Sequence, residues 1–217
     1  MNIEIRENNI GIVVRGEFQT IKTTPKFLLS KGVITQDEFI SQGDDCLVTP
    51  NEIKYNLGVM SIVCDPTRIQ VTSNDISLSG RILRMVSDIL TIAGDVKLVS
   101  VGLNAGVFFT FNNIKDTLKF GQYFGMLNNL KPFMDDPRLR TVVYEDNVKA
   151  NAETPKVTIK LAALETITVD IPQTDGQVKS EGDIPLCTLD INNHFAVNNR
   201  DEALPLIQQA EFYHSEF

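Results

Sequence analysis

Ile76-Ser-Leu-Ser-Gly-Arg-Ile-Leu-Arg-Met-Val-Ser-Asp-Ile-Leu-Thr-Ile-Ala-Gly94 and, after Asp95-Val96, Lys97-Leu-Val-Ser-Val-Gly-Leu-Asn-Ala-Gly-Val-Phe-Phe-Thr-Phe111 decide the fold. Leu78, Ile82, Met85, Val86, Ile89 and Ala93 recur at the helical period on one face. Arg81, Arg84 and Asp88 fall opposite, the last two spaced as a surface pair. Asn74 or Asp75 can cap the start and Gly94 suits the exit. The strand that follows is nearly apolar on both faces. A striped helix and such a strand must bury each other, so they form the centre of a folded domain. Gly102 and Gly106 interrupt the strand and predict a bulge or a close backbone approach.

Upstream, Val59–Val63 is an apolar run broken by Asp65-Pro66, and Ile69 and Val71 alternate with Arg68, Gln70 and Thr72. This predicts a hairpin whose return strand is half exposed. Ile3 and Ile5, then Ile10, Ile12 and Val14, alternate around Asn8-Asn9 and predict an N-terminal hairpin. Between them, Thr24-Pro25 and Gly32 bracket one short helix, and Thr35-Gln-Asp-Glu38 has the spacing of a capping box for a second. The string Leu28-Leu-Ser-Lys-Gly-Val-Ile-Thr-Gln-Asp-Glu-Phe39 resembles a short helical pair that serves many bacterial proteins as an oligomerisation module.

Downstream, Ile114–Leu130 reads as a helix carrying Gly121 and Gly125, four apart on one face. Glycine inside a helix costs about 1 kcal/mol against alanine, so the pair predicts close backbone packing, on the sheet or at an interface. Val142–Tyr144 is a short apolar run. Val157, Ile159, Leu161, Ala163, Ile167, Val169 and Ile171 give a clean period of two, with Glu165 marking a break. Pro172–Asp183 is a polar connection, and Ile184–Ile191 returns as a strand. A C-terminal helix opens at Asp201-Glu-Ala-Leu-Pro205, with acids at the positive end of its dipole and Pro205 tolerable in the first turn.

Strands joined by tight turns predict an α+β fold, a mostly antiparallel sheet with helices packed on one face, leaving room for two similar subdomains. Glu145–Pro155 is the natural dividing loop, so residues 1–148 and 149–217 are expected as an N-terminal α+β region and a C-terminal set of strands and helix packed as one unit.

The chain has 217 residues and a net charge of −8, dispersed rather than in rows, which discourages phosphate binding and favours a solvated surface. Lysines do not cluster with aromatics and tryptophan is absent, so no direct nucleic-acid surface is expected. No basic amphipathic helix, signal segment or spanning apolar run is visible, so a soluble cytoplasmic protein without membrane contact is expected. Cys46, Cys64 and Cys187 are far apart, each beside an apolar residue, and read as free thiols.

Reactive motifs are missing. There is no phosphate loop, dinucleotide fingerprint, nucleophile elbow or His-Glu-x-x-His, and His194 and His214 are the only histidines. Glu211-Phe-Tyr-His214 has the Glu-x-x-His spacing of a di-iron half-site, but its second copy is absent, so no metal and no cofactor are expected. Asp190-Ile-Asn-Asn-His194 brings an acid and an imidazole near a strand end, and Asp190, Asn192, Asn193 and His194 are the candidate ligand-binding residues. No catalytic residue is assigned.

Asp65-Pro-Thr-Arg-Ile-Gln-Val-Thr-Ser73, the helix, Val99-Ser-Val-Gly-Leu-Asn104, Leu189-Asp-Ile191 and Glu211–Phe217 together resemble a sporadically distributed bacterial family of unknown function. The resemblance spans about residues 60–217. It implies an α+β fold and brings no catalytic residues. A competent core without a reaction centre points to a non-catalytic protein-binding or assembly module, its partner a protein or a second copy of itself. Two alternatives remain open: a small-molecule binder or hydrolase near Asp190 and His194, and an acidic inhibitor imitating nucleic acid.

Overall fold

The structure, a computed structural model, describes residues 3–42, 46–111, 141–145, 156–167, 170–171, 179–180 and 184–215. The fold is α+β. The strands are β1 (Ile3–Gly16), β2 (Leu47–Val48), β3 (Ile53–Leu57), β4 (Met60–Asp65), β5 (Arg68–Ser73), β6 (Leu98–Phe111), β7 (Thr141–Glu145), β8 (Lys156–Ile167), β9 (Asp170–Ile171), β10 (Lys179–Ser180) and β11 (Ile184–Ala196). The helices are α1 (Pro25–Ser30), α2 (Gln36–Ile40), α3 (Ser79–Ala93) and α4 (Arg200–Ser215), with 3₁₀ turns at Thr20–Thr23 and Ile76–Leu78. Nine strands form one sheet in the order β2-β3-β4-β5-β1-β6-β11-β8-β7, and β9 pairs with β10 separately. The chain divides into two compact units: the first draws on Met1–Asn8, Gly106–Tyr144 and Thr158–Ile191, the second on Asn9–Ala105, Glu145–Val157 and Asn192–Phe217.

Antiparallel registers in the second unit line up buried side chains in straight cross-strand rows. Ile12, Val71, Ile62 and Tyr55 form one row; Val14, Ile69, Cys64 and Ile53 form the next. Because strand side chains alternate, slipping any pair by one residue would turn a whole row to water. Helix α3 covers this face with Ile82, Leu83, Met85, Val86, Ile89 and Leu90. Burial of such a side chain contributes about 1.5–3 kcal/mol, so the stripe anchors the unit. Helix α4 packs against α3 and adds Ala203, Leu206, Ile207 and Ala210 to the same core.

Local chemistry sets the boundaries. Asp75 accepts from the Ser77 amide at 2.9 Å and opens the 3₁₀ turn before α3. Gly94 closes the helix with φ of 80°, a left-handed conformation that favours glycine. The capping box on α2 is complete: the Glu38 amide donates to Thr35 Oγ1 at 3.2 Å and the Thr35 amide donates to Glu38 Oε2 at 2.8 Å. In the β4–β5 turn, Asp65 Oδ1 accepts from the amides of Thr67 and Arg68 and from the Thr67 hydroxyl. Burial raises the Asp65 pKa, but these bonds and Arg68 outweigh it and hold the carboxyl below its usual range.

Several expectations need correction. Ile3–Val14 is no hairpin: β1 runs unbroken to Gly16, because Ile10–Arg15 find their partners in β5 rather than locally. Arg81, on the face opposite the apolar stripe, is partly buried because it is drawn onto α2. Pro205 lies in the second turn of α4 and not the first, because the helix already opens at Arg200. It is exposed, so its ring leaves the core undisturbed. The start of α4 is held by Asn199, whose Oδ1 accepts from the Glu202 amide at 3.0 Å. Strand β3, whose alternation of Ile53, Tyr55 and Leu57 spans only five residues, completes the meander. The predicted Ile114–Leu130 helix, with Gly121 and Gly125, lies outside the described residues. Among the described residues no helix is long and apolar enough to cross a membrane.

Candidate functional site

Strand β11 extends beyond Ile191 to Ala196, so the Asp190–His194 segment lies within a strand and not at its end. Asp190 belongs to the first unit, where its Oδ1 accepts from the Thr188 hydroxyl at 3.2 Å. Asn192, Asn193 and His194 belong to the second. Asn193 is buried, Asn192 is exposed and His194 is half-buried, as alternation along a strand requires. Glu211 and His214 fall near the end of α4, and their side chains lie outside the described residues. Among the described residues no group of three His, Cys, Asp or Glu side chains is placed to hold a metal ion.

The second unit contains a cleft that the sequence did not announce. It has a volume of about 500 Å³ and lies where Glu17–Thr23, the β4–β5 turn and the end of α3 meet. Phe18, Pro66, Ile69, Ile89 and Val96 supply apolar walls. Glu17, Lys22, Asp95 and Lys97 supply charge. Three tethers fix the 3₁₀ turn on one side of it. Lys22 Nζ donates to the Ala93 carbonyl at 3.2 Å, placing a cation at the negative end of the α3 dipole. The Thr20 hydroxyl donates to the Pro50 carbonyl at 3.0 Å. The buried Tyr55 hydroxyl donates to the Thr23 carbonyl at 2.9 Å.

Tyr55 is a structural donor and not an acid. Burial, with the nearby Cys64 and Cys46 adding to it, holds its phenol far above the ordinary range, so it stays protonated. Burial likewise pushes the Cys64 thiol up to about 11, against a hydrogen bond with the Thr23 hydroxyl and with a contribution from Asp65. Cys187 is pushed up to about 11 by burial alone. Neither thiol supplies a nucleophile near neutral pH.

A second feature lies at the edge of the sheet. Strand β2 ends the strand order, and its two side chains, Leu47 and Val48, are 45% and 52% exposed. It pairs with β3 through Leu47 opposite Lys54 and Val48 opposite Ile53, closed by a turn in which the Thr49 amide donates to the Glu52 carbonyl at 2.8 Å. Leu47 and Val48 carry no charge that would deter another strand. The short helical pair turns most of its apolar side chains inward: Leu28, Val33 and Ile34 are buried in the core, and Phe27, Leu29 and Phe39 pack against it.

The cleft joins segments remote in the chain, which is why motif spacing missed it; β2 is part of a local hairpin, and its place at the margin follows from the order of all the strands. The signal that could have found the cleft is the pair of mixed-charge junctions, Glu17-Phe-Gln-Thr-Ile-Lys22 and Asp95-Val-Lys97, each abutting apolar runs. Against known proteins, no family model matches this chain and no curated protein matches it.

Proposed function

We propose that this chain is a non-catalytic protein-binding or assembly module that joins a second copy of itself or a protein partner by strand addition at β2. The observation that supports it is the outward, uncharged Leu47-Val48 pair at the sheet margin. An edge strand with uncharged, exposed side chains offers backbone and apolar contacts together, and a partner strand can use both. Size-exclusion chromatography with light scattering tests the reading. The expected result is a self-associated species, or a retained protein partner in a pull-down, that Val48→Lys abolishes while the thermal midpoint is kept. A strict monomer that retains no partner would remove it.

A further inference from the structure

We propose that the cleft at the end of α3 is a binding site for a small zwitterion with an apolar body, of the kind presented by a free amino acid with a large hydrocarbon side chain. Its walls and its rim make different demands. Phe18, Ile69 and Ile89 are buried beneath it, and Pro66 and Val96 extend the apolar lining. The lining is thus part apolar and part polar, and favours a ligand that brings both hydrocarbon and charged groups. The volume of about 500 Å³ suits one small molecule rather than a folded partner.

The rim carries two charges of each sign. Glu17 and Asp95 are acidic; Lys22 and Lys97 are basic. Glu17, Asp95 and Lys97 are exposed, and among the described residues no salt bridge joins any of the four. A purely anionic or purely cationic ligand would meet repulsion from one pair. A ligand with one carboxylate and one ammonium matches both. Lys22 is already oriented, because the Ala93 carbonyl accepts one of the three N–H donors of its ammonium. Gly94, at positive φ, turns the chain so that Asp95, Val96 and Lys97 return along the cleft. The site is separate from the β2 edge and does not depend on assembly.

The test is titration of the full chain by calorimetry and by amide chemical shifts with phenylalanine and leucine. The comparison ligands are their carboxamides, their N-acetyl derivatives, and glycine. Binding by the two free amino acids is expected, with perturbed amides at Phe18, Val96 and Lys97. Removing either ligand charge should weaken binding by up to about fivefold, the upper end for an exposed charge pair. Lys97→Gln and Asp95→Asn should each weaken it similarly. The fold and the oligomeric state should be unchanged, which distinguishes this proposal from the β2 reading. Absence of binding by phenylalanine and leucine at millimolar concentration, or equal binding by the neutralised derivatives, would overturn it.

Discussion

Arg81 grips Glu38 through a two-pronged ion pair, Nε to Oε1 and Nη2 to Oε2, each at 2.8 Å. The same Nη2 donates to the Val33 carbonyl at 2.6 Å. Glu38 is also the capping-box acid of α2, so one carboxylate closes a helix start and docks it on α3. Both side chains are largely withdrawn from water, at 23% and 20% exposure, which lifts the pair above an ordinary surface bridge.

Arg81→Ala should therefore destabilise the protein by about 1–3 kcal/mol, the range for losing charged hydrogen bonds that are partly buried. Arg81→Lys should recover little, because a single ammonium cannot reproduce the planar fork. Urea unfolding of the singles and of the Arg81→Ala/Glu38→Ala double mutant measures the coupling. Additive effects would show that the pair contributes nothing of its own.

Acid should weaken the same contact. The Arg81 guanidinium, then the Thr35 amide and hydroxyl, hold the Glu38 carboxyl below its usual value against the opposing effect of burial. The folded pKa is thus lower than the unfolded value of about 4.3. Its stabilisation is complete above that value and is lost as pH falls through the lowered folded pKa. The stability difference between wild type and Glu38→Gln should narrow as pH drops below about 4, measured by urea unfolding at each pH. A gap that stays constant or widens would contradict the assignment.

Tyr55→Phe should cost about 1 kcal/mol, since the Thr23 carbonyl loses its donor in a buried site. Thermal unfolding measures the loss. Hydrogen exchange should show the Lys22 and Thr24 amides, which close on Gln19 and Ile21, opening more readily than in the wild type. A variant as stable as the wild type would mean that the bond does not anchor the 3₁₀ turn.

Thiol labelling should be ordered. Cys64 and Cys187 are buried and raised to about 11, whereas Cys46 is only half-buried. Native protein at neutral pH should therefore modify at Cys46 first, with the other two reacting on unfolding, as read by mass spectrometry of peptides. Rapid native labelling of Cys64 would overturn the packing described for Tyr55.

Two glycines separate steric crowding from backbone strain. A Cβ at Gly16 would lie 2.6 Å from the Lys97 carbonyl oxygen, so the β1–β6 junction must move. Gly94 has open space around it but a φ of 80°. Gly16→Ala should cost about 1–3 kcal/mol through overpacking, and Gly94→Ala about 1–3 kcal/mol through strain, both measured by denaturant unfolding. A Gly16→Ala variant as stable as the wild type would show that the β1–β6 junction yields easily, and an unchanged Gly94→Ala variant would contradict the strain.

Elements with strong local signals were legible in the chain. The 3.6-residue stripe of Ile82, Met85, Val86 and Ile89 gave α3, and Thr35 with Glu38 gave the start of α2. Asp65-Pro66 gave the turn between β4 and β5. Strand β3 was not legible, because Ile53, Tyr55 and Leu57 alternate over only five residues, and their burial comes from β4. The N-terminal turn at Asn8-Asn9 was misjudged for the converse reason: a local turn signal yielded to six residues of non-local pairing with β5. Of the candidate site, Asp190, Asn192, Asn193 and His194 rest on residue type and on a strand end expected at Ile191, and their spacing does not reveal that the strand continues to Ala196.

The amino-acid order alone determined the α+β class, the amphipathic helix and its caps, because these follow from periodicity and from hydrogen bonds between residues three or four apart. Only the tertiary structure decided that Glu17, Lys22, Asp95 and Lys97 rim one cleft, that Arg81 faces Glu38, and that Leu47 and Val48 stand at the end of the strand order among the described residues. The cleft and the ion pair join residues far apart along the chain, and the place of β2 follows from the order of all the strands, so no local rule could give them.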